Sequence, residues 1–172
     1  PIRVGNTLFF ANVGFSNTGY NYQTIIAFDL EENDFVREID TNVVNFDLGS
    51  LTSRISQKVK FGDDVYFAVS SNATNVDLYK LDLKTRKFSK EHAFEFTKEI
   101  KSFDIASNYI SKIYLTARTT SSYTCIPYDI YKNTEDSPIE TNDVFDGEIL
   151  ATTVLNNNLF VINGNNANFS VK

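Results

Sequence analysis

The sequence predicts an all-β fold built from a repeated unit of four antiparallel strands. Aromatic residues make up 14% of the chain, as 15 Phe and 9 Tyr with no Trp, and such residues suit the pleated, half-buried surface of a sheet. No long window shows the 3.6-residue apolar period of an amphipathic helix. The hairpin-like spacing also leaves no room for the crossover helices of a parallel α/β fold.

The first sign of a repeat is a short apolar run that recurs four times. Each copy places an aliphatic residue before an aromatic one, and each copy follows a polar turn. Successive copies lie 57, 48 and 46 residues apart. Large structural repeats have a period of about 40–50 residues, so only the first interval is long. The aliphatic positions are Leu8, Val65, Ile113 and Leu159, within segments 7–11, 64–68, 112–116 and 158–162.

A second element recurs downstream of the first three runs and ends an alternating strand with an aspartate. The three aspartates are Asp29, Asp82 and Asp129. An aspartate at a strand end can accept hydrogen bonds from the amides of the next turn. Because it recurs at the same point of each unit, we interpret it as a structural device rather than as a ring of catalytic carboxylates.

A further strand is predicted before each of the last three runs, in segments 54–59, 101–106 and 148–154. Each unit then has four strands, an inner, a second, a third and an outer one, and so resembles a blade of a β-propeller of the loose kelch or WD-like kind. The resemblance is architectural, since the kelch double glycine and the Trp-Asp pair of WD repeats are absent.

The resemblance implies about three and a half four-stranded blades, beginning at a second strand. It further implies one domain over residues 1–172 that is a fragment of a larger propeller or chain. A β-sandwich and a small four-bladed, hemopexin-like propeller remain alternatives.

Charge and composition exclude several classes of partner. The formal net charge is −6 and the isoelectric point is about 4.8, with lysine and arginine scattered singly. Nucleic-acid binders need a basic stripe that neutralises phosphates, so no nucleic-acid partner is predicted. No apolar run reaches the length of a membrane-spanning helix, so no membrane insertion is predicted. The cellular compartment stays open.

No catalytic residue, metal site or cofactor is predicted. His92 is the single histidine and Cys125 the single cysteine, so a zinc site would lack ligands. We expect a packed histidine and a buried, inert thiol.

The loops after the second strands are the surface on which we expect binding. They are rich in Asn, Ser, Thr, Gly and Tyr, as adaptable binding loops are, and the first of them covers residues 14–22. The predicted contact residues are Phe15, Tyr20, Tyr22 and Tyr123. The function predicted is non-enzymatic protein–protein recognition or assembly within a larger protein or complex. The alternatives are a carbohydrate-binding or glycan-processing propeller and a structural component that pairs through exposed strand edges.

Overall fold

The computed structural model describes residues 2–4, 6–15, 21–35, 46–47, 56–70, 72–85, 87–142, 147–165 and 168–171. In this part of the chain the secondary structure consists of β-strands, β1 to β17 in chain order, joined by turns. Among the same residues no helix has the length and hydrophobicity needed to cross a bilayer. The strands form four antiparallel sheets, which we name A to D.

Sheets A and B come from the first half of the chain, and in each the strands follow sequence order from the first strand outward. Sheet A contains β1 (Ile2–Val4), β2 (Thr7–Phe15), β3 (Asn21–Asp29), β4 (Asp34–Phe35) and β5 (Phe46–Asp47), and both β4 and β5 pair with β3. Sheet B contains β6 (Val59–Phe61), β7 (Asp64–Ser70), β8 (Asn75–Asp82) and β9 (Lys87–Glu95).

Sheets C and D repeat this order. Sheet C contains β10 (Ser102–Ser107), β11 (Lys112–Arg118), β12 (Tyr123–Asp129), β13 (Thr134–Glu135) and β14 (Ile139–Thr141), and both β13 and β14 pair with β12. Sheet D contains β15 (Glu148–Leu155), β16 (Asn158–Asn165) and β17 (Asn168–Val171). The predicted order of second, third and outer strands is therefore present in sheets A, B and C, and sheet D contains its first three strands within the described residues.

Two predicted strands differ from the observed ones. The sequence pattern predicts a second strand at the start of the chain, but Ile2–Val4 forms a first strand that pairs with β2. Of the predicted segment 54–59, residues 54 and 55 lie outside the described residues, and the first strand of sheet B covers Val59–Phe61, so residues 56–58 precede it. Before it, the Ser56 hydroxyl accepts the Ala68 amide at 2.8 Å while the Ser56 amide donates to the Ala68 carbonyl at 2.9 Å. The Ser56 hydroxyl thus replaces a backbone carbonyl as the acceptor of the Ala68 amide, and the regular strand begins later.

The hydrophobic core lies between sheets B and C. Phe94 and Leu78 on sheet B and Ile105 and Leu115 on sheet C are fully buried. The opposite face of sheet B is buried as well, at Phe67 and its neighbours. Burial on both faces explains why the predicted runs are continuously apolar rather than alternating. The full cluster is Val59, Phe61, Tyr66, Ala68, Val76, Leu78, Phe94, Ile100, Phe103, Ile105, Ile113, Leu115, Ala117, Ile126 and Tyr128.

The first strands lie beside one another, with β10 next to β6 on one side and next to β15 on the other. Each sheet has two distinct ends, because antiparallel neighbours reverse direction at every turn. We call the end with the first-to-second and third-to-outer turns the turn end. The end with the second-to-third connections, where the chain also passes to the next sheet, is the loop end.

Candidate functional site

The turn end of sheets A, B and C is built by the three recurring aspartates. Each carboxylate accepts hydrogen bonds from the two backbone amides that lie two and three residues further on. Oδ1 of Asp29 accepts those of Glu31 (2.8 Å) and Glu32 (3.3 Å), Oδ1 of Asp82 those of Lys84 (2.8 Å) and Thr85 (3.0 Å), and Oδ1 of Asp129 those of Tyr131 (3.1 Å) and Lys132 (3.0 Å). These are the turn hydrogen bonds that the sequence analysis expects of the three aspartates.

A backbone hydrogen bond joins the two turns of each of these sheets. The residue after the aspartate donates its amide to a carbonyl of the first-to-second turn, at 2.7 Å in sheet A (Leu30 to Asn6), 3.0 Å in sheet B (Leu83 to Asp63) and 2.9 Å in sheet C (Ile130 to Ser111). The hydrogen bonds from the backbone amides of the turn are also the main reason why the pKa values of Asp82 and Asp129 are lowered. The turn end is therefore a fixed surface.

Sheet C presents large apolar side chains on this fixed surface. Tyr109 is 71% exposed, Ile110 is 74% exposed and Tyr131 is 74% exposed. Tyr109 and Ile110 lie in the turn between β10 and β11, and Tyr131 lies in the turn between β12 and β13. We call these three residues the turn patch.

The conformation of Tyr109 is held by its neighbour. Oδ1 of Asn108 accepts the amides of Ile110 (3.0 Å), Ser111 (3.0 Å) and Lys112 (2.9 Å). This places Tyr109 at a φ of 58°, in the left-handed region that bulky residues rarely adopt. The other non-glycine residues with positive φ in the described part of the chain are all asparagines, Asn33, Asn133, Asn156 and Asn157.

The contact residues predicted at the loop end lie in strands or outside the described residues. Phe15 ends β2 and Tyr22 lies at the start of β3, so both belong to paired strands rather than to a long loop. Tyr20 lies outside the described residues. Tyr123 begins β12 and is only 7% exposed. The expectation that Tyr123 is an exposed loop residue is wrong, because the strand starts at this residue and buries it.

His92 is packed between sheets B and C. Its ring stacks on Tyr128 with centroids 4.6 Å apart and meets the edge of Phe94 at 4.8 Å. Its Nε2 atom lies 2.5 Å from Oε1 of Glu135. Cys125 is buried, and burial raises the pKa of its thiol. No group of three or more His, Cys, Asp or Glu side chains suited to a metal ion occurs within the described residues.

The Asp104 carboxylate on β10 connects sheet C with sheet D and with the segment that leads into sheet B. Its Oδ1 atom accepts the Gln57 amide at 2.8 Å, from the segment that leads into sheet B. Its Oδ2 atom accepts the Thr152 amide at 2.8 Å and the Thr152 hydroxyl at 3.1 Å, from sheet D. The side-chain amide of Gln57 reaches across to the carbonyls of Ile105 and Thr152. Burial raises the pKa of Asp104 against the lowering effect of these hydrogen bonds.

Four such sheets, ordered from first strand to outer strand and joined at their first strands, can be compared with known structures. The β-propeller domain of the trilobed protease from Pyrococcus furiosus, described as having an open velcro topology, matches with a TM-score of 0.52 at 10% identity. The match covers 98% of this chain and 54% of that domain. The fold is a β-propeller.

Two further propellers are similar. The Dos1 propeller matches with a TM-score of 0.48 at 13% identity, covering 88% of this chain and 42% of that one. The Nup133 β-propeller domain from Vanderwaltozyma polyspora matches with a TM-score of 0.41 at 13% identity, covering 89% and 52%. The chain thus spans about half the length of the solved propellers it matches. No family model and no curated protein matches the sequence.

Neither the turn patch nor the junction at Asp104 was predicted from the sequence. For the patch a signal was present, since Tyr109 and Ile110 occupy a segment predicted as a turn, where polar residues are usual. For Asp104 the signal was weaker. A single aspartate inside a predicted strand does not show which neighbouring sheets will supply its donors.

Proposed function

We propose that this chain is a non-enzymatic propeller module that binds another protein, as part of a larger protein or complex, through the turn patch. Tyrosine is enriched at the centres of protein interfaces and carries much of their binding energy. Two tyrosines and an isoleucine, each more than 70% exposed on neighbouring turns, supply the apolar anchor that such an interface needs. The half-length coverage of the matching propellers supports the placement within a larger protein.

The conformation of Tyr109 is the observation that carries this proposal. Asparagine or glycine would occupy a φ of 58° with little strain, as asparagine does at the other described positions of this kind. A bulky residue there costs about 1 kcal/mol. Backbone strain of this sort tends to be kept where a side chain has a function to perform. Because the Tyr109 ring is 71% exposed, packing does not account for its presence.

The loop end remains a second proposed surface for the same function. Phe15, Tyr20 and Tyr22 are proposed contact residues there, on the strength of the aromatic and polar composition of segment 14–22. Tyr123 is not included, because it is buried. The two ends of the sheets can be told apart by substitution.

The test is affinity capture from the source organism with the tagged chain, followed by direct measurement of affinity for each captured protein. The variants are Tyr109→Ser with Tyr131→Ser for the turn patch, and Tyr22→Ser for the loop end. Ile139→Ser is the matched control, since Ile139 is 63% exposed but lies on β14, outside the patch.

We expect a captured protein whose affinity falls at least about tenfold in the double variant, since each anchor is worth 1 kcal/mol or more. The control should bind like the unchanged chain. Loss of binding in Tyr22→Ser alone would move the interface to the loop end. Equal capture by every variant would refute both surfaces.

A further inference from the structure

A pocket of 160 Å³ lies between sheets B and C at the loop end, away from the turn patch. One wall is the segment that connects β9 to β10, and the other is formed by β12, β14 and the turn before β12. The pocket is smaller than the roughly 300–1,000 Å³ typical of sites for drug-sized ligands, and it suits a single long side chain. The lining residues are Glu95, Phe96, Thr97, Lys98, Thr119, Ser122, Thr124, Ile126, Pro138 and Glu140.

Both walls are fixed by hydrogen bonds within the chain. The Phe96 amide donates to the Thr74 carbonyl at 2.9 Å, which ties the first wall to sheet B. In the second wall the Thr119 amide donates to the Ser122 carbonyl at 2.9 Å, and the two hydroxyls lie 3.0 Å apart. Phe96 also packs on the core between the two sheets. The pocket is thus formed before any partner arrives.

The polar groups around the pocket include two carboxylates, several hydroxyls and one ammonium group. Glu95 and Glu140 are exposed, and neither carboxylate forms an ion pair within the described residues. Thr124 lies directly opposite Glu140 in the register of β12 and β14. It is 7% exposed and lines the pocket. Lys98 also lines the pocket, and its ammonium donates to Oγ of Ser121 at 3.2 Å, in the turn that forms part of the second wall.

The remaining surface of the pocket is apolar, at Phe96, Ile126 and Pro138. An apolar wall with separate acceptors at its edge matches an arginine side chain, which has an aliphatic stem and a planar head. The head carries five N–H donors and no acceptor, and it pairs well with carboxylates. A divalent cation would need six or more oxygen ligands, which an apolar wall does not supply.

We propose that this pocket binds an arginine side chain of a protein partner. The guanidinium lies between Glu95 and Glu140 and donates to the Thr124 hydroxyl, while the stem contacts Phe96 and Ile126. The negative charge of the chain, −6 overall, favours approach of a basic segment. This inference rests on the proposed function in one respect, namely that the arginine belongs to a protein partner.

The test is a titration of the ¹⁵N-labelled chain with N-acetyl-arginine N-methylamide, followed by NMR. N-acetyl-citrulline N-methylamide has nearly the same shape without the charge, and the corresponding lysine compound keeps the charge without the planar head. We expect the arginine compound to shift the amide signals of Thr97, Thr119 and Thr124. The citrulline and lysine compounds should bind at least about tenfold more weakly, because they lack the charge-assisted, forked hydrogen bonds.

The variants locate the site. Glu95→Gln with Glu140→Gln should weaken the arginine compound at least about tenfold, and the isosteric Thr124→Val by a few-fold. Glu32→Gln removes one exposed charge at the turn end and should leave binding unchanged. Equal shifts with the citrulline compound, or equal binding by the Glu95 and Glu140 variants, would overturn the proposal. Because the probe is a small molecule, that result would leave capture through the turn patch untouched.

Discussion

Replacement of Asp104 by alanine tests whether one carboxylate holds three sheets together. The substitution removes the acceptor of the Gln57 amide, the Thr152 amide and the Thr152 hydroxyl, at 2.8, 2.8 and 3.1 Å. Thr152 is 2% exposed, so its amide would stay buried without a partner, which costs about 1–3 kcal/mol. The Gln57 amide lies on an exposed residue, where water can replace part of the lost bond.

Together these losses predict that Asp104→Ala lowers the free energy of unfolding by about 2–4 kcal/mol. For a chain of this size that corresponds to a fall in Tm of roughly 5–15 °C. The measurement is urea unfolding followed by circular dichroism, with calorimetry for the Tm. Asp63→Ala is the matched control, because the Asp63 carboxylate is exposed and its ion pair among the described residues is with the exposed Lys84.

The control should unfold at the midpoint of the unchanged chain, since exposed ion pairs contribute little. An Asp104→Ala variant that unfolds at the same midpoint as Asp63→Ala would refute the reasoning. The three hydrogen bonds would then be replaced by water at no cost, and the sheets would be held by apolar packing alone.

Three further results are expected. Tyr109→Asn should raise the free energy of unfolding by about 0.5–1 kcal/mol in urea unfolding, because asparagine tolerates positive φ, and a lower stability would contradict the strain argument. The lowered pKa values of Asp82 and Asp129 mean that folding favours the charged forms of both carboxyl groups. Their contribution to stability is therefore present above about pH 4 and is lost as the pH falls through the folded-state pKa values. An NMR titration of the carboxyl groups should give both pKa values below those of the unfolded chain, and equal pKa values in the two states would refute this expectation. The Cys125 thiol, buried and with a raised pKa, should react with a thiol reagent far more slowly in the folded chain than in urea, and equal rates would show that the interior of sheet C is open.

The fold could be predicted because its evidence is local and repeated. The four apolar runs and the three strand-ending aspartates each lie within one hairpin, and hairpin geometry follows from short-range sequence. The start of β6 was misplaced because Ser56 replaces a ladder bond with its hydroxyl, which alternation does not reveal.

The candidate sites were predicted less well, because exposure depends on contacts between distant segments. Tyr123 belongs to a polar, loop-like stretch of sequence, yet the pairing of β12 with β11 and β14 makes it a buried strand residue. Tyr109 differs from Tyr123 in the opposite direction, because it is a large residue in a turn and the fold leaves it exposed. The arginine pocket combines residues from two sheets, so no single segment of sequence carries it.

The outer strands of sheets B and C show how the rim of the molecule avoids self-association. An unpaired outer strand offers free amides and carbonyls to another chain, and natural sheets protect such edges with charge, proline or breaks in the strand. Sheet C has its outer edge divided into β13 and β14, with Pro138 between them. Sheet B has one continuous outer strand of 9 residues, and it carries Lys87, Lys90, Glu91 and Glu95.

Each rim is therefore poorly suited to adding a strand from a neighbour, although by a different means. In sheet C the chain lacks an uninterrupted template, and in sheet B the outer strand carries charged side chains and its register with β8 shifts between Leu78 and Tyr79. Growth of the sheets into fibres or sheet-paired dimers is disfavoured on these two edges. The interface proposed above lies at the ends of the sheets, where side chains rather than free backbone groups face outward.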